Sequence, residues 1–194
     1  MKKLANTEVP INNVIAERWS PRAFDSSHII TEDSIKSLFE AARWAPSCYG
    51  DQPWKYVLFK KEDATGWSSV LNCLSIGNQD WAMDASILIV VCAHKNFNHN
   101  GEPNRWAQYD TGAASENICL QAASIGLATH QMGGFDQEKI RNLSNIPLEF
   151  DILACMVVGK NLDESKLSQV QKEKETQVRS RKPLKDIYFI NEWK

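Results

Sequence analysis

The sequence predicts one domain that mixes helices with sheet, and three observations carry this. The chain has 194 residues, of which 43% are hydrophobic and 24% charged. That is the size and make-up of one globular domain with a core of its own. Two short apolar runs, Ser86 to Ala93 (SILIVVCA) and Ile152 to Gly159 (ILACMVVG), are rich in β-branched residues. They read as central strands covered on both faces. Before them apolar residues recur at helical spacing, and a long helical stretch lies between them.

The elements follow in chain order. Pro10 to Arg18 reads as a short helix with Ile11, Val14 and Ile15 on one side. Thr31 suits a helix N-cap, with Glu32 and Asp33 in the electropositive first turn. Ile35, Leu38, Phe39 and Ala42 then form an apolar stripe. That helix should stop before Pro46, because a proline pushes its predecessor out of the α region. Trp54 to Lys60 reads as a strand. A long helix is expected over about Pro103 to Ile125. Its small residues Gly112, Ala113, Ala114 and Ser115 would let another backbone approach, in the core or across an interface. Gly126 is placed to cap its end. Asp163 to Gln177 is polar enough for a solvated helix. From Pro183 the chain should be extended, and the apolar tail Asp186 to Trp193 predicts an added strand, in its own sheet or a neighbour's.

Charge and cysteine content exclude several classes. The net charge is −2, which argues against a nucleic-acid binder, so any anion site must be local. Five cysteines, with no Cys-x-x-Cys pair, indicate neither a zinc ribbon nor a disulfide scaffold. His94 and His99 lack carboxylate support, and no metal site is expected. Met1 to Pro10 shows no apolar signal region. The longest apolar run, near Ala85 to Ala93, falls short of the ~20 residues that span a bilayer. The expectation is a reduced, soluble, cytoplasmic protein without a membrane partner.

Three segments carry candidate chemistry. In Arg18-Trp19-Ser20-Pro21-Arg22, two guanidinium forks and a hydroxyl flank an irregular turn. That suits phosphate oxygens, or simply a surface turn. Ala45-Pro46-Ser47-Cys48-Tyr49-Gly50-Asp51-Gln52-Pro53-Trp54 is a rigid loop that could offer backbone groups to a flat ligand or merely connect helix to strand. Gly126-Leu127-Ala128-Thr129-His130-Gln131-Met132-Gly133-Gly134-Phe135-Asp136 carries paired glycines that admit close backbone approach. It could equally be a turn before a helix capped by Asp136. No phosphate-loop signature occurs.

Together these segments resemble the nitroreductase family of FMN-dependent oxidoreductases. The resemblance rests on Arg18-x-Ser20-x-Arg22-x-Phe24, Ala45-Pro46-Ser47 with Gln52-Pro53-Trp54, and Asn78 with Asp84-Ala85. It continues through Gly126-Leu127 with Gly134-Phe135-Asp136 and ends on Arg179-x-Arg181-Lys182-Pro183-Leu184. These elements stand in the family's order over nearly the whole chain, so residues 1–194 are expected to form one FMN-binding domain. The resemblance implies an α+β, three-layer fold whose central, mostly antiparallel sheet is flanked by helices. It further implies a homodimer with FMN at the interface and a C-terminal strand exchanged between subunits.

The resemblance also implies roles. Arg18 and Ser20 match the residues that hold the FMN phosphate, and Arg179 with Arg181 matches the basic pair that closes on it. Arg22 matches the cation near flavin N1 and O2, an electrostatic catalytic role. Asn78 matches the amide at the pyrimidine edge. Pro46, Ser47, Cys48 and Gly50 match the loop that arrives from the other subunit. Gln131, Gly133 and Gly134 match the segment along the ring. Tyr49, Trp106 and Tyr109 are candidates to line a substrate cavity. The implied reaction is ping-pong hydride transfer from NADH or NADPH to a nitroaromatic, quinone or similar small acceptor. The scaffold also hosts dehalogenation and enone reduction, and a non-enzymatic flavin carrier or sensor is a further alternative. The chain departs from the family pattern at Gly50 (often Asn), at Gly133 (often Glu) and at Trp81 (Lys in some members).

Overall fold

Each stretch that can bury an apolar face has become a regular element, and the computed structural model describes residues 3–193. In chain order the elements are α1 (Asn13–Glu17), α2 (Glu32–Arg43), β1 (Trp54–Lys60), α3 (Ala64–Leu71), α4 (Ile76–Ala82), β2 (Ile87–His94), α5 (Ala107–Ser124), β3 (Ala128–Met132), α6 (Gln137–Ser144), β4 (Phe150–Gly159) and α7 (Gln169–Glu175). Single turns of 3₁₀ helix lie at Cys48–Gly50, Glu164–Lys166 and Leu184–Asp186.

The four strands form one antiparallel sheet in the order β1-β2-β4-β3. The two apolar runs are its central strands, as expected, and their alternate residues feed two cores. Leu88, Val90, Cys155 and Val157 face α3, α4 and α6, where Trp67, Val70, Trp81 and Ile140 are buried. Ile87, Ile89, Val91, Met156 and Val158 face Ile35, Leu38 and Ala42 of α2 and Ala114, Ile118 and Ala122 of α5. This is the expected α+β three-layer arrangement.

Local chemistry sets the ends of the helices. The Thr31 side chain accepts the Ser34 N–H at the start of α2, which ends on Arg43, ahead of Pro46. The Asp136 side chain accepts the Lys139 N–H at the start of α6. At the end of α5, Gly126 has φ +77°. There the Leu127 N–H reaches the Ala122 carbonyl and the Gly126 N–H reaches that of Ala123, a Schellman closure that favours glycine. On α7, Ser168 and Gln171 make a reciprocal capping box.

Three expectations need correction. The first helix is shorter than Pro10 to Arg18 and buries no residue, so little besides its own hydrogen bonds extends it. Helices α3 and α4, with eight and seven residues, were not anticipated, because segments so short give no clear period. Ala128–Met132 is a strand, where a turn before a helix was the simpler reading. Of the two alternatives for the tail Asp186 to Trp193, a strand in its own sheet is excluded and one in a neighbour's sheet is left. Within it Ile187, Tyr188, Ile190 and Trp193 are exposed. Among the described residues no helix is long and apolar enough to cross a membrane.

Candidate functional site

The two chain ends meet beside α1. A cleft of about 220 Å³ is lined by Arg18, Ser20, Arg22, Arg179 and Arg181 together with Lys3, Glu175 and neighbouring residues. All five arginine and serine positions singled out near the termini therefore border one cavity.

Arg179 performs the joining. Its guanidinium donates to the carbonyls of Lys3 (2.7 Å), Ala16 (2.9 Å) and Arg18 (2.8 Å). Burial, and then the charges of Arg18 and Arg181, hold its pKa below the ordinary arginine value. Arg181 is exposed and donates to the Ser180 carbonyl at 2.7 Å. Arg18 Nε is buried without a hydrogen-bond partner, although Glu116 Oε1 lies 3.3 Å away. Three guanidinium groups crowded together in this way favour a polyanion between them.

A second cluster adjoins Arg22. The Arg22 guanidinium stands 6.0 Å over the Trp81 ring, at the outer reach of a cation–π contact. Trp81 packs on His130 with ring centroids 4.4 Å apart. His130 Nδ1 lies 2.8 Å from the Pro21 carbonyl, and since a carbonyl only accepts, Nδ1 carries the proton. Burial holds the His130 pKa below its usual value, and the charge of Arg22 lowers it further.

Asn78 and Gly134 are in direct contact. The Gly134 carbonyl accepts the Asn78 side-chain amide at 3.0 Å and the Ser75 N–H at 2.9 Å. A Cβ on Gly134 would lie 2.8 Å from Asn78 Nδ2, whereas one on Gly133 would meet nothing within 4 Å. Gln131 is exposed, and its amide reaches Cys119 Sγ at 3.5 Å.

The Pro46–Gly50 loop does not line the arginine cleft. It docks on α5, where the buried Asp110 carboxylate accepts the Cys48 N–H at 2.9 Å. Tyr49 adopts a left-handed φ of 54° and Gly50 one of 67°. Tyr49 is 84% exposed and touches Phe97 and His99 edge-on. Of the other aromatic candidates, Tyr109 is 80% exposed and Trp106 39% exposed, the latter with Arg105 over its ring.

These contacts also pick out residues to which the sequence assigned no role. Asp110, His130 and Glu175 each act on a segment far away in the chain, so no local pattern announces them. Trp81 was visible only as a departure from a motif.

The sequence profile of the nitroreductase family matches residues 15–71 and 74–160. The chain belongs to the nitroreductase family. A solved "oxidoreductase containing FMN" superposes with a TM-score of 0.88 at 33% identity, covering 97% of this chain and 96% of that one. Protein DrgA of Synechocystis is 25% identical over 182 residues, 79% of this chain and 85% of its own length. An oxygen-insensitive NADPH nitroreductase of Helicobacter acinonychis is 24% identical over 187 residues, 78% of this chain and 88% of its own length. The nitroreductase match runs from α1 through β4 and stops before Arg179 and Arg181. The C-terminal half of the arginine cleft therefore rests on the geometry above.

Proposed function

We propose that the chain is a cytoplasmic FMN-dependent oxidoreductase. It takes a hydride from NADH or NADPH and passes it to a nitroaromatic, a quinone or a similar small acceptor. The observation that carries this reading is the convergence of Arg18, Arg179 and Arg181, from opposite ends of a nitroreductase-family chain, on one cleft. The donor set fits a phosphate monoester. Burial, and then repulsion from Arg18 and Arg181, lowers the Arg179 pKa, Arg18 keeps a buried Nε without a hydrogen bond, 3.3 Å from Glu116 Oε1, and Ser20 lines the same cleft. Five free cysteines suit a reducing compartment.

When bound, FMN supplies the redox chemistry by accepting and releasing a hydride at N5. The protein's part is to grip, orient and polarise. Arg18, Ser20 and Arg181 hold the phosphate, while Arg179 braces the cleft and adds charge. Asn78 would hold the pyrimidine edge, and Gln131, Gly133 and Gly134 would border the ring. Arg22 would supply a fixed positive charge beside the flavin, which would favour the reduced cofactor. In a homodimer, Pro46, Ser47, Cys48 and Gly50 of the second subunit complete each site. The exposed rings of Tyr49, Trp106 and Tyr109 offer stacking faces to the acceptor. The apolar tail Asp186 to Trp193 crosses to the partner's sheet, which removes its side chains from water.

The test is direct. Protein loaded with FMN is mixed with NADH or NADPH without oxygen. The yellow flavin absorbance should bleach, and a nitroaromatic or quinone should restore it. Colour that persists with both donors refutes the reductase reading, and a folded monomer that retains FMN refutes the shared site.

A further inference from the structure

The peptide unit between Pro21 and Arg22 is held at both ends by residues from distant parts of the chain. Its carbonyl accepts from His130 Nδ1 on β3 at 2.8 Å, across 109 residues of sequence. Its N–H donates to Glu175 Oε1, at the end of α7, at 2.8 Å across 153 residues. We propose that His130 and Glu175 are positioning residues that lock this peptide plane and so aim the Arg22 guanidinium. The inference rests on the role given to Arg22 under Proposed function.

A peptide plane is rigid. Fixing both its oxygen and its nitrogen therefore sets the torsions on either side, ψ of Pro21 and φ of Arg22. The Pro21 ring already restricts the preceding torsion. The Arg22 side chain, itself exposed, starts from a backbone with little freedom left. His130 contributes twice, since its ring also backs Trp81, the ring beneath the guanidinium. Carbonyl and ring therefore move together with β3.

Glu175 is a costly choice for an ordinary hydrogen-bond acceptor. It is only 5% exposed, and its Oε2 is buried without a hydrogen-bond partner. Leaving such an oxygen unmatched is expensive. Burial raises the Glu175 pKa, the Arg22 N–H bond and the charges of Lys3 and Arg22 oppose that rise, and Lys3 Nζ also bonds the Glu175 carbonyl at 2.7 Å. A carboxylate retained under that penalty, on one wall of the arginine cleft, fits a device that ties the chain's last helix to the placement of Arg22.

Four variants of the full chain separate the effects. His130→Phe keeps a ring on Trp81 but has no donor for the Pro21 carbonyl, while His130→Asn restores a side-chain N–H. Glu175→Leu removes the acceptor, while Glu175→Gln keeps one without the charge. Amide hydrogen exchange at Arg22, read by NMR, should accelerate at least about tenfold in Glu175→Leu and stay near wild type in Glu175→Gln, the scale of one lost bond of ~1.4 kcal/mol. With FMN bound, His130→Phe and Glu175→Leu should each weaken the preference for reduced over oxidised cofactor about tenfold. That is a midpoint potential lower by ~30 mV for a two-electron couple. Glu175→Gln should not lower it, and His130→Asn, which restores the donor but not the ring behind Trp81, should lower it less than His130→Phe. Loss of the Glu175 charge alone would shift the potential upward, so a downward shift in Glu175→Leu cannot come from charge.

Unchanged potentials in fully loaded His130→Phe and Glu175→Leu, beside a lowered potential in Arg22→Ala, overturn the inference. An unchanged potential in Arg22→Ala overturns it as well, by removing the role of Arg22. Failure of the wild-type chain to retain FMN strikes the cofactor reading instead, and the exchange rates then decide whether the clamp exists.

Discussion

Replacing Gly134 with alanine should cost the fold about 1–3 kcal/mol, the usual scale of overpacking, whereas the same change at Gly133 should cost nothing. The added Cβ at position 134 would stand 2.8 Å from Asn78 Nδ2 and 2.8 Å from Ser75 Oγ. Comfortable non-bonded separations are roughly 3.5–4.0 Å, so something has to move. The Ser75 backbone is held by its N–H bond to the Gly134 carbonyl at 2.9 Å, and its Oγ has to turn away about χ1. The Asn78 amide has to swing away as well and give up its 3.0 Å bond to that carbonyl, which accounts for about 0.5–1.5 kcal/mol of the cost. Against this stands a gain of about 0.4–1 kcal/mol, because alanine restricts the unfolded chain. Gly133 is exposed and would meet nothing within 4 Å, so alanine there keeps only the gain. Urea unfolding reads the difference. With a slope of about 1–3 kcal/mol per molar, the Gly134→Ala midpoint should fall on the order of 1 M while that of Gly133→Ala holds or rises. FMN titration should show roughly 2- to 12-fold weaker binding in Gly134→Ala, the worth of one misplaced amide hydrogen bond. Equal midpoints for Gly134→Ala and wild type, or an equal fall in Gly133→Ala, would refute the packing argument.

Other perturbations address the rest of the site. Arg18→Ala should weaken FMN binding about 10- to 150-fold, the range of a lost charge-assisted bond. Arg181→Ala should fall at the low end of that range because the side chain is exposed and screened by salt; unchanged affinity in both would reject the phosphate assignment. Arg179→Ala should chiefly lower stability, since it strips the carbonyls of Lys3, Ala16 and Arg18 of a donor, and unaltered unfolding would contradict that. His130 ties stability to pH. Burial depresses its pKa below the ordinary 6.5, so the unfolded chain takes up the proton first. Its contribution is complete above that ordinary value and is lost as the pH falls through the depressed one. The wild-type urea midpoint should drop more steeply below pH 6.5 than that of His130→Asn, and parallel curves would sink the assignment.

The parts of the molecule that were legible in the sequence are those with local causes. Thr31 and Asp136 cap their helices because a side-chain oxygen reaches an N–H three residues on. Gly126 closes α5 because the turn needs a positive φ. The runs around Ile89 and Val157 are central strands because unbroken apolar residues tolerate cover on both faces. The arginines at both ends stand out as a motif, and they do line one cleft. What stayed illegible has non-local causes. Helices α3 and α4 are too short for a period to emerge, and β3 needed its partner strand β4 to be recognised. Arg179 looked like a ligand fork, yet three backbone carbonyls from the other end of the chain occupy much of it.

By itself, then, the amino-acid order settled the two central strands, the caps of α2, α5 and α6 and the family pattern. Each of these follows from contacts within a few residues or from the average hydrophobicity of a segment. Only the tertiary structure decided that His130 and Glu175 share one peptide plane, that Asp110 holds the Cys48 loop, and that Arg18 retains a buried nitrogen without a hydrogen bond. A hydrogen bond depends on a separation of about 3 Å in space, and residues 62 to 153 positions apart acquire that separation only when the sheet and its two helical layers close around them.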